Sequence, residues 1–561
     1  MDRSLFITGA AGEGIQTIGD VVARSFLVHG YPVFVAQEFE SRIRGGHSSV
    51  RIRIADSPRN APRRDADILL AVNPAAAAQY ADALNDGGLL IASADQTDDA
   101  VSSPRERNRL SIPFSPLATE HGGEEIYSNA VAAGALCAAV GVPFAVLERV
   151  LSTTFEKRGE DVVRANVVSA QAGFDLAVER LADRRPGELP SRDATYAFAS
   201  AHETLPIAAA AAGCRFIAAY PMSPSTGIIT AFAREPELGV FAEQAEDEIA
   251  AVNMALGASA AGARAMTATS GGGFALMAEG LSLAGMIETP VVIVIAQRPG
   301  PATGLPTRTA QEDLLFAVHA GHGEFPRVVL APSDPQDAID LTIRAFDLAD
   351  RFQIPAILLT DQFLADSRSS LESLVLPEEI PPHHLVDPAG ADAYVRYAPS
   401  DDGVSPRLAF GQGGYVVVLD SDEHTAEGHI TEDLTIVRPA AVEKRLEKGR
   451  RLRAAIRPPQ TDRTEDADTI LIGWGSTRNA IAEAVDRLRE DGRKVGAMHF
   501  TELWPLPDIR TPAAALWTVE GNATGQLAQL LRGRLGWSIE GTLGRIDGLP
   551  IDARFIEERL P

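Results

Sequence analysis

The feature that most constrains this chain is a repeated pair: a short, wholly apolar run followed by a longer stretch with helical periodicity. Val291-Val292-Ile293-Val294-Ile295 is the clearest run, with residues 216–219, 265–268, 327–330 and 356–359 around it. A run without polar alternation suits a strand buried on both faces, and helical sequence between such runs implies parallel strands with helices covering the sheet. The chain opens the same way, with Leu5-Phe6-Ile7, a glycine turn, a helical run through Val21, Val22 and Phe26, and then residues 33–36. Further runs lie at 68–72, 88–92 and 469–473. The pattern predicts an α/β protein of several domains, each a parallel sheet flanked by helices.

At 561 residues the chain is too long for one core. Residues 1–185 are expected to form one α/β domain. The charged, Pro- and Gly-broken stretch Asp183-Arg184-Arg185-Pro186-Gly187-Glu188-Leu189-Pro190 starts a linker, placed at 186–198. A second α/β domain is expected over 199–375, an irregular connecting region over 376–462, and a third α/β domain over 463–561. The irregular region holds Gly411-Gln412-Gly413-Gly414 and the polar run Asp420-Ser421-Asp422-Glu423-His424.

The net charge of -25 repels polyanions, which argues against nucleic acid or an anionic membrane as partner. The only two cysteines, Cys137 and Cys214, cannot supply a four-thiolate cluster and read as small buried residues. The amino terminus lacks the apolar segment of a secretory signal. The uncharged stretch 130–147 is broken by Gly134, Gly141 and Pro143, so it reads as a buried helix and loop rather than a membrane span. A cytoplasmic location is expected.

Gly9-Ala10-Ala11-Gly12-Glu13-Gly14 turns a strand into a helix, a geometry whose backbone amides suit an anion. Its G-x-x-G-x-G order reverses the dinucleotide fingerprint, so tight packing, a phosphate-bearing ligand and NAD all remain open, with Glu38 at the distance of a ribose contact. Next, Glu40-Ser41-Arg42-Ile43-Arg44-Gly45-Gly46-His47-Ser48-Ser49-Val50-Arg51 gathers three arginines and a histidine beside glycines. That segment reads as a solvated charged hairpin, a subunit contact or a site for the phosphates of coenzyme A.

The central constellation begins at Tyr220-Pro221-Met222-Ser223-Pro224-Ser225-Thr226, where two prolines hold hydroxyls at the carboxyl end of a strand, the usual ligand edge of an open α/β sheet. Glu246-Asp247-Glu248 then opens a helix on which Ile249, Val252 and Leu256 are expected to mark the buried face. Acids there complement the positive helix end. Glu248, at the edge of the apolar face, is the one most readily desolvated, and a desolvated carboxyl can give a proton to a ring nitrogen. After the strand, Thr269-Ser270-Gly271-Gly272-Gly273 allows a close approach of backbone to a ligand.

These segments, in this order, resemble the pyrimidine-binding domain of 2-oxoacid:ferredoxin oxidoreductases, with its Y-P-x-S/T-P-S/T turn, E-D-E helix start and T-A-T-S-G-G-G loop. Gln297-Arg298-Pro299-Gly300-Pro301-Ala302-Thr303-Gly304-Leu305-Pro306-Thr307-Arg308 resembles the family's Q-R-x-G-P-x-T-G-L-P-T segment. Residues 1–185 are similar to the family's γ domain, and Asp422-Glu423-His424 with residues 428–433 resemble its α subunit. Residues 473–476 and 519–526 look like a transketolase-type carboxyl-terminal domain. The resemblance implies a fused γ–α subunit. Thiamine diphosphate would lie between this chain and a partner β subunit, with Glu248 on the aminopyrimidine nitrogen and Tyr220, Pro221, Ser270 and Gly271 beside the cofactor. It further implies that Arg298 holds the substrate carboxylate bidentately, that Ser223 hydrogen-bonds the substrate, and that Thr303, Thr307 and Arg308 shape the distal pocket.

The β subunit would carry Mg²⁺ and a 4Fe–4S cluster, since this sequence has no G-D-G motif and too few thiols. No metal site is expected on this chain. Coenzyme A would take the acyl group and ferredoxin the electrons, in an (αβ)2 assembly. Of the 2-oxoacids, 2-oxoglutarate is favoured, with pyruvate and branched-chain acids open. A non-catalytic scaffold and a nucleotide-binding dehydrogenase are the competing readings.

Overall fold

The computed structural model describes every residue except 41–45, 95–107, 388 and 390–393. The arginine-rich turn at Ser41, Arg42, Ile43, Arg44 and Gly45 therefore lies outside the described residues. The described chain forms two compact units.

The first unit comprises Met1–Ala199 and Ser367–Leu374. Its strands are β1 (Asp2–Ala10), β2 (Val33–Phe39), β3 (His47–Ala55), β4 (Ala66–Ala71), β5 (Leu84–Ser93), β6 (Arg109–Ile112) and β7 (Ala197–Ala199). A late strand, Arg368–Leu371 (β14 in chain order), completes an eight-stranded sheet ordered β6-β5-β4-β1-β3-β2-β14-β7. Residues on β1 alternate between two apolar clusters, Leu5 and Ile7 on one face and Phe6 on the other, which is why the run shows no polar alternation. The helices Ser128–Val140 and Glu160–Leu181 cross in backbone contact. A Cβ on Gly134 would lie 2.0 Å from the Ala170 carbonyl oxygen, and one on Gly173 would lie 2.2 Å from that of Val131.

Two expectations change here. The sheet is mixed, because β3 pairs antiparallel with both β1 and β2 and so separates two strands that a simple βαβ opening would make neighbours. Arg51, the one arginine of the 40–51 segment among the described residues, is half-buried rather than part of a solvated hairpin. Arg53 is buried and holds Asp2 at 2.6 Å, and the Arg51 guanidinium lies 3.8 Å from the Phe6 ring centroid. Arginine within an apolar strand conceals the alternation that would have marked it.

The second unit comprises Ser200–Asp366 and Val375–Pro561. Its strands are β8 (Cys214–Ala219), β9 (Phe241–Gln244), β10 (Arg264–Thr269), β11 (Val291–Gln297), β12 (Val328–Leu330) and β13 (Pro355–Asp361). After β14 come β15 (Gln460–Asp462), β16 (Thr469–Trp474), β17 (Val495–Phe500), β18 (Glu502–Trp504), β19 (Ala515–Glu520) and β20 (Gly541–Gly544). A seven-stranded sheet runs β18-β12-β13-β11-β10-β8-β9 and a five-stranded sheet runs β15-β17-β16-β19-β20. Both are parallel except at β18 and β15. The last segment does not stand apart, since β18 joins the larger sheet and Ile470, Trp474, Phe500 and Leu527 share one core with Ile293 and Leu359.

Within 376–462, the helix Val437–Ala455 is regular structure that the expectation of an irregular region missed. Nine of its 19 residues are charged, so apolar periodicity could not reveal it. Its buried residues include Arg445 and Lys448, and Lys448 and Lys444, two of the four lysines, both bind the buried Glu288 carboxylate. Those cations hold the Glu288 carboxyl far below its usual range despite burial, and burial lowers Lys448 to about 8. A second buried group joins Asp350 to Arg264 at 2.7 Å and to Arg407 at 3.1 Å, tying the 380–410 segment to the sheet. Paired charges of this kind are costly to break singly, because each partner is left buried and uncompensated.

Both cysteines are free and buried, and burial raises each thiol to about 12. Among the described residues, no helix is long and apolar enough to cross a membrane.

Candidate active site

The parallel strands of the larger sheet end together, and four of their carboxyl-end loops carry the residues singled out by sequence. Asp247 is the N-cap of the helix Glu248–Ala260, and its carboxylate accepts the Ala250 amide at 2.7 Å. With capping done by Asp247, Glu248 is left free for another role. It is 2% exposed, and its Oε1 has no hydrogen-bond partner. Leaving a buried acceptor unpaired costs about 1–3 kcal/mol, so the arrangement suits a group that is brought in. The burial does not come from Ile249, which is 49% exposed, contrary to expectation; Val252 and Leu256 are buried. It comes from the glycine loop, where a Cβ on Gly273 would stand 2.5 Å from Glu248 Oε1 and 2.0 Å from Thr269 Oγ1. Only glycine lets the loop lie this close.

Ser270, just before Gly271, is buried, with an unpartnered Oγ. Gly271 meets a different acid, since a Cβ there would lie 2.4 Å from Asp313 Oδ2. Arg298, immediately after β11, donates from a guanidinium nitrogen to the Ser223 carbonyl oxygen at 2.6 Å, which joins the proline turn to the 297–308 segment. Burial pulls Arg298 below its ordinary value, while the charge of Asp313 opposes the shift. Ser223 and Tyr220 are exposed, and Pro221 is half-buried. Thr303 is exposed, and Thr307 and Arg308 are half-buried. Arg308 packs toward the carboxyl-terminal segment, with its Cβ 3.1 Å from where a side chain on Gly548 would begin. The geometry therefore brings Glu248, Ser270 and Gly273 together, and Arg298 with Ser223 and the Asp313–Gly271 contact, whereas Arg308 stands with residue 548.

Sequence reading missed the residues that fasten this loop. The Gln297 side chain accepts the Asp313 amide at 3.0 Å and donates to the Thr360 carbonyl at 3.1 Å. Gln311 is buried; it exchanges hydrogen bonds with Gly521, accepts from the Asn522 side chain through its carbonyl, and donates to the Trp474 carbonyl. The buried Glu520 carboxylate accepts from Asn522, Leu527 and Ala528. The V-E-G-N-A-T-G-Q segment, buried at Val519, Glu520, Asn522 and Gly525, is thus a hub holding residues 311–315. Gln297 and residues 519–526 stand out in the sequence as motif segments, but nothing there names Gln311 as what they hold.

In the first unit, Glu13 folds back into its own glycine turn, accepting from the Ala10 amide and from Asn73, each at 2.7 Å. A carboxylate already on the loop amide opposes a phosphate there and leaves tight packing as the better account of these glycines. His47 starts β3, and its Nδ1 is buried and unpartnered. Among the described residues, no group of three or more His, Cys, Asp or Glu side chains is placed to hold a metal ion.

Comparison with known proteins accounts for this arrangement. A family model described as pyruvate flavodoxin/ferredoxin oxidoreductase, thiamine diP-binding, matches residues 207–443. Models for pyruvate ferredoxin/flavodoxin oxidoreductase and for pyruvate:ferredoxin oxidoreductase core domain II match 4–176 and 467–531. The 2-oxoacid:ferredoxin oxidoreductase 2 subunit alpha of Aeropyrum pernix is 30% identical over 98% of this chain and 96% of its own length. The 2-oxoglutarate synthase subunit KorA of Methanothermobacter thermautotrophicus is 35% identical over 60% of this chain and 90% of its own. A solved 2-oxoglutarate:ferredoxin oxidoreductase from Magnetococcus marinus, with 2-oxoglutarate, coenzyme A and succinyl-CoA bound, is 31% identical, with a TM-score of 0.91 over 100% of this chain and 99% of that one. The chain belongs to the 2-oxoacid:ferredoxin oxidoreductase family, as an α subunit with the γ segment fused at its amino end.

Proposed function

We propose that this chain is the pyrimidine-binding half of a thiamine diphosphate site that decarboxylates 2-oxoglutarate oxidatively to succinyl-CoA, with electrons leaving to ferredoxin. The observation that carries the reading is the Glu248 carboxyl, buried at a helix start with Oε1 unpaired beside Gly273. An orphaned acid in a glycine cradle, next to a buried and equally unpaired Ser270 hydroxyl, fits the nitrogen edge of an aminopyrimidine. Bound thiamine diphosphate would supply a nucleophilic carbon and an electron sink for loss of CO2.

Each residue of this chain has a defined task in that reading. Glu248 holds a proton at Oε1 and exchanges it with the pyrimidine ring nitrogen, while burial keeps water from competing for it. Tyr220, Pro221, Ser270 and Gly271 line the approach to the ring. Arg298, anchored through one N–H to the Ser223 carbonyl, offers its remaining N–H groups to the substrate carboxylate, and the Ser223 hydroxyl hydrogen-bonds the substrate. Thr303, Thr307 and Arg308 border the distal end, with Arg308 set back toward residue 548.

The diphosphate, its Mg²⁺ and a 4Fe–4S cluster fall to a partner β subunit, because this sequence has two cysteines and no G-D-G motif. An (αβ)2 assembly in the cytoplasm completes the proposal, and the domain limits 185, 198, 375 and 462 belong to it. The preference for 2-oxoglutarate and coenzyme A draws on the ligands named for the Magnetococcus marinus structure. The test is a panel of 2-oxoglutarate, pyruvate and branched-chain 2-oxoacids assayed with the co-purified complex, coenzyme A and a low-potential electron acceptor. Fastest turnover of 2-oxoglutarate, lost in Glu248→Gln at unchanged melting temperature, is expected. Turnover of none of these acids would remove the reading.

A further inference from the structure

Asp313 stands at the N-cap of the short helix Leu314–His319, yet its side chain makes no capping hydrogen bond. The carboxyl lies instead against the Cα of Gly271, in the same three-glycine loop whose other end cradles Glu248. Two charged groups act on it. Glu312, the preceding residue, is anchored by accepting the Gly300 amide at 2.8 Å, and Arg298 acts from the end of β11. The glycine loop packed on its other side carries no charge, and Gln297 meets its backbone amide through a neutral side chain. Arg298 and Asp313 thus share a field without closing an ion pair, and Arg298 directs one N–H to the Ser223 carbonyl.

We infer that the Asp313 carboxylate, held against Gly271 beside the substrate-binding arginine, takes up one proton from solvent when an anionic 2-oxoacid binds at Arg298. The inference rests on the proposed role of Arg298. The physical reason is charge: an incoming carboxylate neutralises the cation that keeps Asp313 ionised and adds a second anion to a partly desolvated place. Burial, with Glu312 alongside, already lifts the Asp313 carboxyl to about 6, against the lowering effect of Arg298. A small further rise on binding would move it through neutral pH. The proton bonds to a carboxylate oxygen, the carboxylate becomes a neutral carboxyl, and the bound 2-oxoacid keeps its charge for Arg298.

Linkage fixes the sign. Since the bound state holds the extra proton, affinity for the anion falls as pH rises between the free and bound values of Asp313. For a one-unit rise on binding, KM increases about tenfold from roughly pH 5.5 to pH 8, while kcat is unaffected. In Asp313→Asn, which keeps the shape against Gly271, KM stays at the low-pH value throughout. In Glu312→Gln, which keeps an acceptor for the Gly300 amide, the rise begins at lower pH, because one charge that holds Asp313 up is gone.

The experiment measures KM and kcat against pH in the co-purified complex for the parent and both variants, using the 2-oxoacid the parent turns over fastest. Independently of turnover, an indicator dye reports proton uptake when the same acid is added to complex stripped of thiamine diphosphate. Uptake by the parent but not by Asp313→Asn, with the flattened KM profile, supports the inference. A variant profile that overlays the parent, or a parent that takes up no proton, overturns it while leaving the proposed function standing. A parent complex that turns over no 2-oxoacid refutes the proposed function itself.

Discussion

Gly273→Ala tests whether loop and acid are fitted to each other. In the helix Gly271–Leu276 the substitution should help by local propensity, since alanine is favoured over glycine by about 1 kcal/mol in a helix interior. The structure places the new methyl 2.0 Å from Thr269 Oγ1, 2.5 Å from Glu248 Oε1 and 2.8 Å from Glu248 Cγ. Ordinary contact begins near 3.4 Å, so relief requires shifts of about 1 Å in two side chains that are almost fully buried. Overpacking of this kind costs about 1–3 kcal/mol, which the propensity gain partly offsets, leaving a net loss of at most about 2 kcal/mol. The functional cost is larger, because misplacing a reacting group by about 1 Å lowers rate about 100-fold. The assay is steady-state turnover of the co-purified complex with a low-potential acceptor, alongside thermal melting. Gly257→Ala, on the Glu248 helix with nothing within 4 Å of its added methyl, is the control: it should melt slightly higher and turn over normally. Equal turnover of the Gly273→Ala and Gly257→Ala complexes would refute the claim that Gly273 exists to seat Glu248.

Three further outcomes follow from buried groups. Asp350→Asn strips the charge that faces Arg264 and Arg407 and should cost about 3–5 kcal/mol, read as a large drop in the melting temperature of the complex. Gln311→Ala leaves partners at Gly521, Asn522 and Trp474 without it; an unpaired buried group costs about 1–3 kcal/mol, so both melting temperature and turnover should fall as the 311–315 segment loosens. His499 is buried with neither ring nitrogen bonded, and burial, helped by Arg478, lowers it from 6.5 to about 3. Between those values the unfolded chain binds a proton that the folded chain excludes, so stability falls as pH drops from 6.5 toward 3, at about 1.4 kcal/mol per unit. His499→Leu should therefore show a shallower loss of melting temperature with acid than the parent.

What the sequence made legible was whatever rests on local chemistry. The uninterrupted apolar run at 291–295 marked β11, and the proline turn, the E-D-E start and the triple glycine marked three of the loops that meet at the strand ends. Glu248 was picked out correctly as a buried acid, though for the wrong neighbour: Gly273 buries it, not Ile249, and that contact links residues 25 apart in the chain. Long-range pairing hid the rest. Strand β3 is masked by Arg53, buried against Asp2, and by the half-buried Arg51 over the Phe6 ring. Nothing local to Asp313 announces that the fold sets its carboxyl on Gly271. No periodicity in the sequence could announce that Gln311 answers Gly521 or that Lys448 answers Glu288.

The central claim concerns one carboxyl and one ring nitrogen, and the most direct measurement is of the proton they control. In the co-purified complex loaded with thiamine diphosphate, exchange of the thiazolium C2 proton with deuterated water, followed by acid quench and NMR, reports that control without any substrate. The account predicts that Glu248→Gln slows this exchange by about 100- to 10,000-fold, the usual worth of a positioned acid–base group, at unchanged cofactor content. Exchange as fast as in the parent would contradict it.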